Sequence, residues 1–64
     1  MKIGDLVRIK LPSSKGLYLV LGRTDNIELE TLSNDRCWKL YGYWYSELQV
    51  FDMYEKWLEI ISEI

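Results

Sequence analysis

The sequence predicts a small all-β domain, a five-stranded antiparallel barrel followed by a C-terminal amphipathic α-helix, and three observations carry that expectation. The first is Leu17-Tyr18-Leu19-Val20-Leu21, the longest apolar run of the chain, with Gly16 before it and Gly22 after it. A run of that length between glycines reads as a strand buried on both faces. The second is strict alternation in the segments around it, with turn-forming residues at regular spacing. The third is a change of period after residue 51, where apolar residues recur at helical spacing.

The elements follow in chain order. Asp5–Leu11 alternates, with Val7, Ile9 and Leu11 on an apolar face and Leu6, Arg8 and Lys10 opposite. Pro12 stops the strand because it has no N–H for a ladder, and Pro12–Gly16 is a polar loop. In the next strand, Leu17 to Gly22, Leu17, Leu19 and Leu21 share a face, with Tyr18 and Val20 on the other. Asp25-Asn26 suits a tight turn. Ile27–Leu32 alternates again and is expected as a strand with Glu28 and Glu30 toward water. Arg36–Tyr41 is the fourth strand, with Trp38 and Leu40 opposite Cys37, Lys39 and Tyr41, and Gly42 permits a bend. Tyr45–Leu48 is expected as one 3₁₀ turn and Gln49-Val50 as a short closing strand. Over 52–64, Asp52 and Glu55 fit a capping box, and Met53, Trp57, Ile60, Ile61 and Ile64 form one stripe. The expected organisation is thus a barrel over 1–51 and a helix over 52–64, packed on it or projecting from it.

Composition narrows the function classes. With 64 residues there is one domain and a small core. The chain has a single cysteine and no histidine, so it lacks the commonest metal ligand and general base, and an internal disulfide is impossible. No catalytic residues, metal or cofactor are therefore expected, and the protein is not expected to be an enzyme. The lone Cys37, and an N-terminal stretch too charged for an export signal, point to the cytoplasm. No apolar run approaches the ~20 residues of a membrane helix, and no membrane partner is expected. The net charge of −2 conceals an asymmetry: residues 1–24 sum to +4 and residues 25–64 to −6.

Lys2-Ile3-Gly4-Asp5-Leu6-Val7-Arg8, the Gly-flanked second strand, a Trp-bearing strand around Trp38 and Trp44-Tyr45-Ser46-Glu47-Leu48-Gln49-Val50 together resemble the small SH3-like barrels encoded by tailed bacteriophages. The resemblance spans about residues 2–50. It implies an SH3-like five-stranded barrel in a bacterial host cytoplasm, with a 3₁₀ turn before the last strand. The 52–64 helix goes beyond the usual module.

Three functions follow as expectations. The first is a module that binds a host or phage protein through exposed aromatics, Tyr41, Tyr43 and Tyr45, with Trp57 and Ile61 of the helix. Trp38 and Trp44 belong to the same aromatic group, of which at least two must fill the core. The second is a nucleic-acid-binding barrel using Arg8, Lys10, Arg23 and Lys39, with Lys15 nearby. The third is a homodimer or larger homo-oligomer held through the helix stripe.

Overall fold

A computed structural model describes residues 1–12 and 16–62. Its element order is β1 (Leu6–Ile9), β2 (Tyr18–Arg23), α1 (Ile27–Ser33), β3 (Cys37–Trp44), β4 (Glu47–Tyr54), a 3₁₀ turn (Glu55–Trp57) and β5 (Leu58–Ser62). The strands form one antiparallel sheet in the order β4-β3-β2-β1-β5, which does not close into a barrel. The Ser13–Lys15 part of the expected loop, with Lys15 of the basic set, and Ile64 of the expected stripe lie outside the described residues.

One face of the sheet carries the core. Val7, Ile9, Tyr18, Val20, Trp38, Leu40 and Leu58 are buried, and Met1, Leu11, Trp44, Phe51 and Met53 pack against them. The alternation of β1 delivers Val7 and Ile9 to this face as expected, and β3 likewise delivers Trp38 and Leu40. Burying Tyr and Trp strands a polar tip unless it finds a partner. Tyr18 Oη donates to the Tyr43 carbonyl at 2.7 Å, and Trp38 Nε1 donates to Glu55 Oε1 at 2.8 Å. Tyr18 also meets Phe51 and Trp44 edge-on, at centroid distances of 5.3 and 6.4 Å.

Gly42 does not bend β3, which runs through it without interruption. It is needed for a close approach: a Cβ there would lie 2.5 Å from Tyr18 Cδ1. Gly22, at φ 147, sits at the irregularity where the β2–β3 register shifts between Val20 and Gly22. That backbone conformation favours glycine, the usual residue of such bulges.

Besides the closed barrel and the bend at Gly42, four expectations are corrected. The strand expected over Ile27–Leu32 is the helix α1. Asn26 caps it, its Oδ1 accepting from the Glu28 N–H at 3.2 Å, and Asn34 ends it in the left-handed conformation at φ 54. Asparagine tolerates both positions. Nothing on α1 is buried, and Glu30 ties it down by accepting from the Cys37 N–H at 2.8 Å and from Arg23. A strand there would need a neighbour on the ladder, and β2 already pairs with β3.

The run Leu17–Leu21 is covered on one face only: Tyr18 and Val20 are buried, while Leu17 and Leu19 are 53% and 36% exposed. The 3₁₀ turn expected over Tyr45–Leu48 is instead a two-residue hairpin turn, Tyr45-Ser46, and β4 begins at Glu47.

The largest correction concerns 52–64. Asp52–Tyr54 completes β4, Glu55–Trp57 is the 3₁₀ turn, and Leu58–Ser62 is β5, paired with β1 through Ile9↔Leu58, Arg8↔Glu59, Val7↔Ile60 and Leu6↔Ser62. As a strand the segment shares a backbone ladder with β1 and takes its place at the edge of the sheet. The strand also seats Leu58 in the core, and Ile60 and Ile61 are β-branched residues that suit it. The Asp52–Glu55 capping box is not used. Asp52 faces Lys39 across the ladder, and Glu55 holds Trp38 while its N–H donates to the Arg36 carbonyl at 2.7 Å.

Candidate functional site

Register places an apolar surface on the face of the sheet turned away from the core. Leu6 lies opposite Leu19, Leu19 opposite Tyr41, and Tyr41 opposite Val50, so one row crosses four strands. In the next row Tyr43 lies opposite Leu48, and the carbonyl of Leu17, just before β2, lies close to Gly42. Tyr43 is 66% exposed, Leu48 51%, Val50 53% and Tyr41 40%. Lys39 and Asp52, opposite one another, close the surface at one end.

At the other end stands the hairpin tip. Tyr45 (φ 53) and Ser46 (φ 64) both adopt the left-handed region, the geometry of a type I′ turn, which asparagine and glycine ordinarily occupy. Tyr45 is 85% exposed, and its ring meets Trp44 edge-on at 5.1 Å. Trp44 itself is half-buried, stacked on Phe51 at 4.9 Å, and Gln49 Nε2 donates to its carbonyl at 2.6 Å.

Of the residues expected to bind protein, the fold therefore gathers Tyr41 and Tyr43 on one face, with Tyr45 at its end. Trp57 and Ile61 are not on that surface's hairpin. Trp57 lies in the turn beyond the far end of β4, its carbonyl accepting from the Lys10 N–H at 2.7 Å, and Ile61 lies on β5 at the opposite edge of the sheet. Sequence reasoning missed Leu17, Leu19, Leu48 and Val50. Their signal was the alternation Leu17/Leu19 and Leu48/Val50, which marks a face without saying whether anything covers it.

The basic residues do not make one face. Arg8 pairs with Glu59, and Lys39 with Asp25. Arg23 donates to Glu30 Oε2 from Nε at 3.1 Å and from an Nη at 2.6 Å, and its guanidinium lies 5.3 Å from the centroid of the Trp38 ring, a core residue. Asp25 raises the Lys39 ammonium above its usual pKa, and the Cys37 amide followed by Arg23 lowers the Glu30 carboxyl below its own. Lys10 is exposed on the strand extension after β1.

Cys37 is buried, and desolvation pushes its thiol up to about 11, far from the thiolate a nucleophile needs. Among the described residues no group of three or more Cys, Asp or Glu side chains is placed to hold a metal ion. Among the same residues no helix is long and apolar enough to cross a membrane. Comparison with protein families, with curated proteins and with solved structures returns no match.

Proposed function

We propose that the protein is a small protein-interaction module of the SH3-like kind, which docks a host or phage protein on the outer face of β2, β3 and β4. The observation that carries this is the size of the exposed apolar surface. At roughly 200 Å² for a fully exposed aromatic side chain, the exposed fractions of Tyr41, Tyr43 and Tyr45 alone amount to ~380 Å², and Leu17, Leu19, Leu48 and Val50 are each more than a third exposed. One partner contributes about 800 Å² to a standard interface, whereas monomers rarely expose contiguous apolar patches above a few hundred Å². Tyrosines at its centre suit such a role, since each supplies a broad apolar ring and a polar tip. The 3₁₀ turn ahead of the last strand, Glu55–Trp57 before β5, supports the SH3-like reading, although it falls later in the chain than the resemblance implies.

The nucleic-acid alternative is disfavoured by the ion pairs: Arg8, Arg23 and Lys39 each already face a carboxylate. Self-association through a C-terminal helix stripe is disfavoured because, among the described residues, that segment is the end of β4, a 3₁₀ turn and β5.

The test is affinity capture from bacterial lysate with and without nuclease, comparing the wild type with Tyr43→Ala and with the double variant Arg8→Glu/Lys10→Glu, each shown to be folded by circular dichroism. A nuclease-resistant protein band that is lost with Tyr43→Ala and retained with the charge-reversed variant is the expected result. A band indifferent to Tyr43→Ala overturns the assignment of the surface, and capture that disappears with nuclease overturns the function.

A further inference from the structure

The hairpin turn fixes which backbone groups of β4 remain unpaired. In a two-residue I′ hairpin the flanking residues, Trp44 and Glu47, exchange both backbone hydrogen bonds, and the pairs then alternate along the ladder. Gly42/Gln49, Leu40/Phe51 and Trp38/Met53 are therefore hydrogen-bonded pairs, while Tyr43/Leu48, Tyr41/Val50 and Lys39/Asp52 are not. The N–H and C=O groups of Leu48, Val50 and Asp52 consequently point away from β3, toward the open edge of the sheet. Among the described residues β4 pairs with no other strand. The side chains of those same three residues stand on the apolar outer face.

Charge decides what fits this edge. β4 reads Glu-Leu-Gln-Val-Phe-Asp-Met-Tyr and contains two acids and no base. A second copy of β4 would bring four carboxylates to one seam. The other edge, β5, has Glu59 and no base either, so pairing β4 with β5 of another copy is no better. A charged residue on an edge strand is a recognised guard against self-pairing. Asp52 has Lys39 opposite, but that ammonium is bonded to Asp25. A cation arriving from outside would complement Asp52, and residues 25–64 as a whole carry −6.

We propose that β4 accepts an extended segment of the partner protein as a sixth, antiparallel strand, with a Lys or Arg opposite Asp52 and apolar residues opposite Val50 and Leu48. Main-chain bonds supply the attachment and alternate side chains supply the selection. The added strand extends both apolar rows, Leu6–Leu19–Tyr41–Val50 and Tyr43–Leu48, by one residue each. This inference rests on the outer face being the docking surface.

The probe is the peptide acetyl-Thr-Thr-Arg-Thr-Val-Thr-Val-amide, which in antiparallel register sets Arg opposite Asp52 and the two Val opposite Val50 and Leu48. Its control carries Glu in place of Arg. Amide hydrogen exchange of the full chain is followed by NMR. The expected result is at least tenfold slower exchange at the Leu48, Val50 and Asp52 amides with the Arg peptide, and at least tenfold weaker binding of the Glu peptide. Asp52→Asn should abolish that preference and Asp52→Lys should reverse it. Equal binding of both peptides overturns the proposal. So does concentration-dependent protection of these amides without peptide, which would assign the edge to a second copy. Shifts at Tyr41 and Tyr43 without protection on β4 overturn the sixth strand and leave the docking face standing. No response anywhere also overturns the sixth strand, and the docking face is then judged by the Tyr43→Ala capture alone.

Discussion

The hairpin tip is built from residues that do not suit it, and replacing them should separate stability from binding. A non-glycine L-residue in the left-handed region costs about 1–2 kcal/mol, and Ser46 at φ 64 is such a residue. Glycine at that position removes the penalty but adds about 0.5–1 kcal/mol of backbone entropy to be lost on folding. Ser46→Gly should therefore stabilise the protein by about 0.5–1 kcal/mol, a rise in Tm of roughly 2–8 °C for a domain of this size. Tyr45→Asn is different. It relaxes the backbone at φ 53 but forfeits the edge contact with Trp44, which is worth about 0.5–1.5 kcal/mol. Its net effect on Tm should lie close to zero, while removal of the exposed ring should weaken partner capture. Differential scanning calorimetry and the capture assay read the two quantities independently. The expected pattern is a raised Tm with full capture for Ser46→Gly, and an almost unchanged Tm with reduced capture for Tyr45→Asn. An unchanged or lowered Tm for Ser46→Gly would refute the strain argument, and full capture by Tyr45→Asn would remove the tip from the surface.

Two further predictions concern the scaffold. Gly42→Ala puts a methyl carbon 2.5 Å from the Tyr18 ring, which Phe51, Trp44 and the Tyr43 carbonyl hold in place, so overpacking should cost about 1–3 kcal/mol in urea unfolding; a loss below ~0.5 kcal/mol would mean that the ring moves aside freely. Glu30 joins α1 to β2 and β3, and its folded pKa lies below the ordinary 4.5, so the unfolded chain binds the proton more readily and the carboxylate's contribution to stability is present above 4.5 and lost as pH falls through the lowered value. Glu30→Gln should accordingly have a lower Tm than the wild type at pH 7, with the gap closing as pH falls below 4.5 and through the lowered value; a gap independent of pH would show that the carboxylate's charge is not what matters.

The strands that proved legible were those whose two faces differ in polarity. Val7 and Ile9 set against Arg8, and Trp38 and Leu40 set against Lys39, leave one choice of register, because a slip by one residue would send charge into the core. Leu17–Leu21 is apolar on both sides, and composition cannot say that Leu19 would be left at the surface. Ile27–Leu32 misleads for a related reason. Ile27, Leu29 and Thr31 alternate with Glu28 and Glu30, yet the decisive residues are the capping asparagines outside the run, Asn26 and Asn34. Alternation marks a strand only when a neighbouring strand is available to pair with it.

The same reasoning explains the C-terminus and ties it to the candidate surface. Met53, Trp57, Ile60 and Ile61 satisfy a helical period, but a helix of that length gains stability only from what its stripe covers. The sheet offers something better, because β1 carries Val7 and Ile9 into the core and leaves its ladder edge open until Leu58–Ser62 fills it. Filling that edge consumes the segment that the sequence suggested as the docking element. The exposed apolar side chains then lie on the outer face beside the β4 edge, where Tyr43, Leu48 and Val50 stand near Asp52. The two edges of the open sheet are therefore β5 and β4. The carboxylates of β4 oppose pairing with its own kind, and the combination of an apolar face with an acidic edge strand is the basis on which a basic, extended partner is proposed.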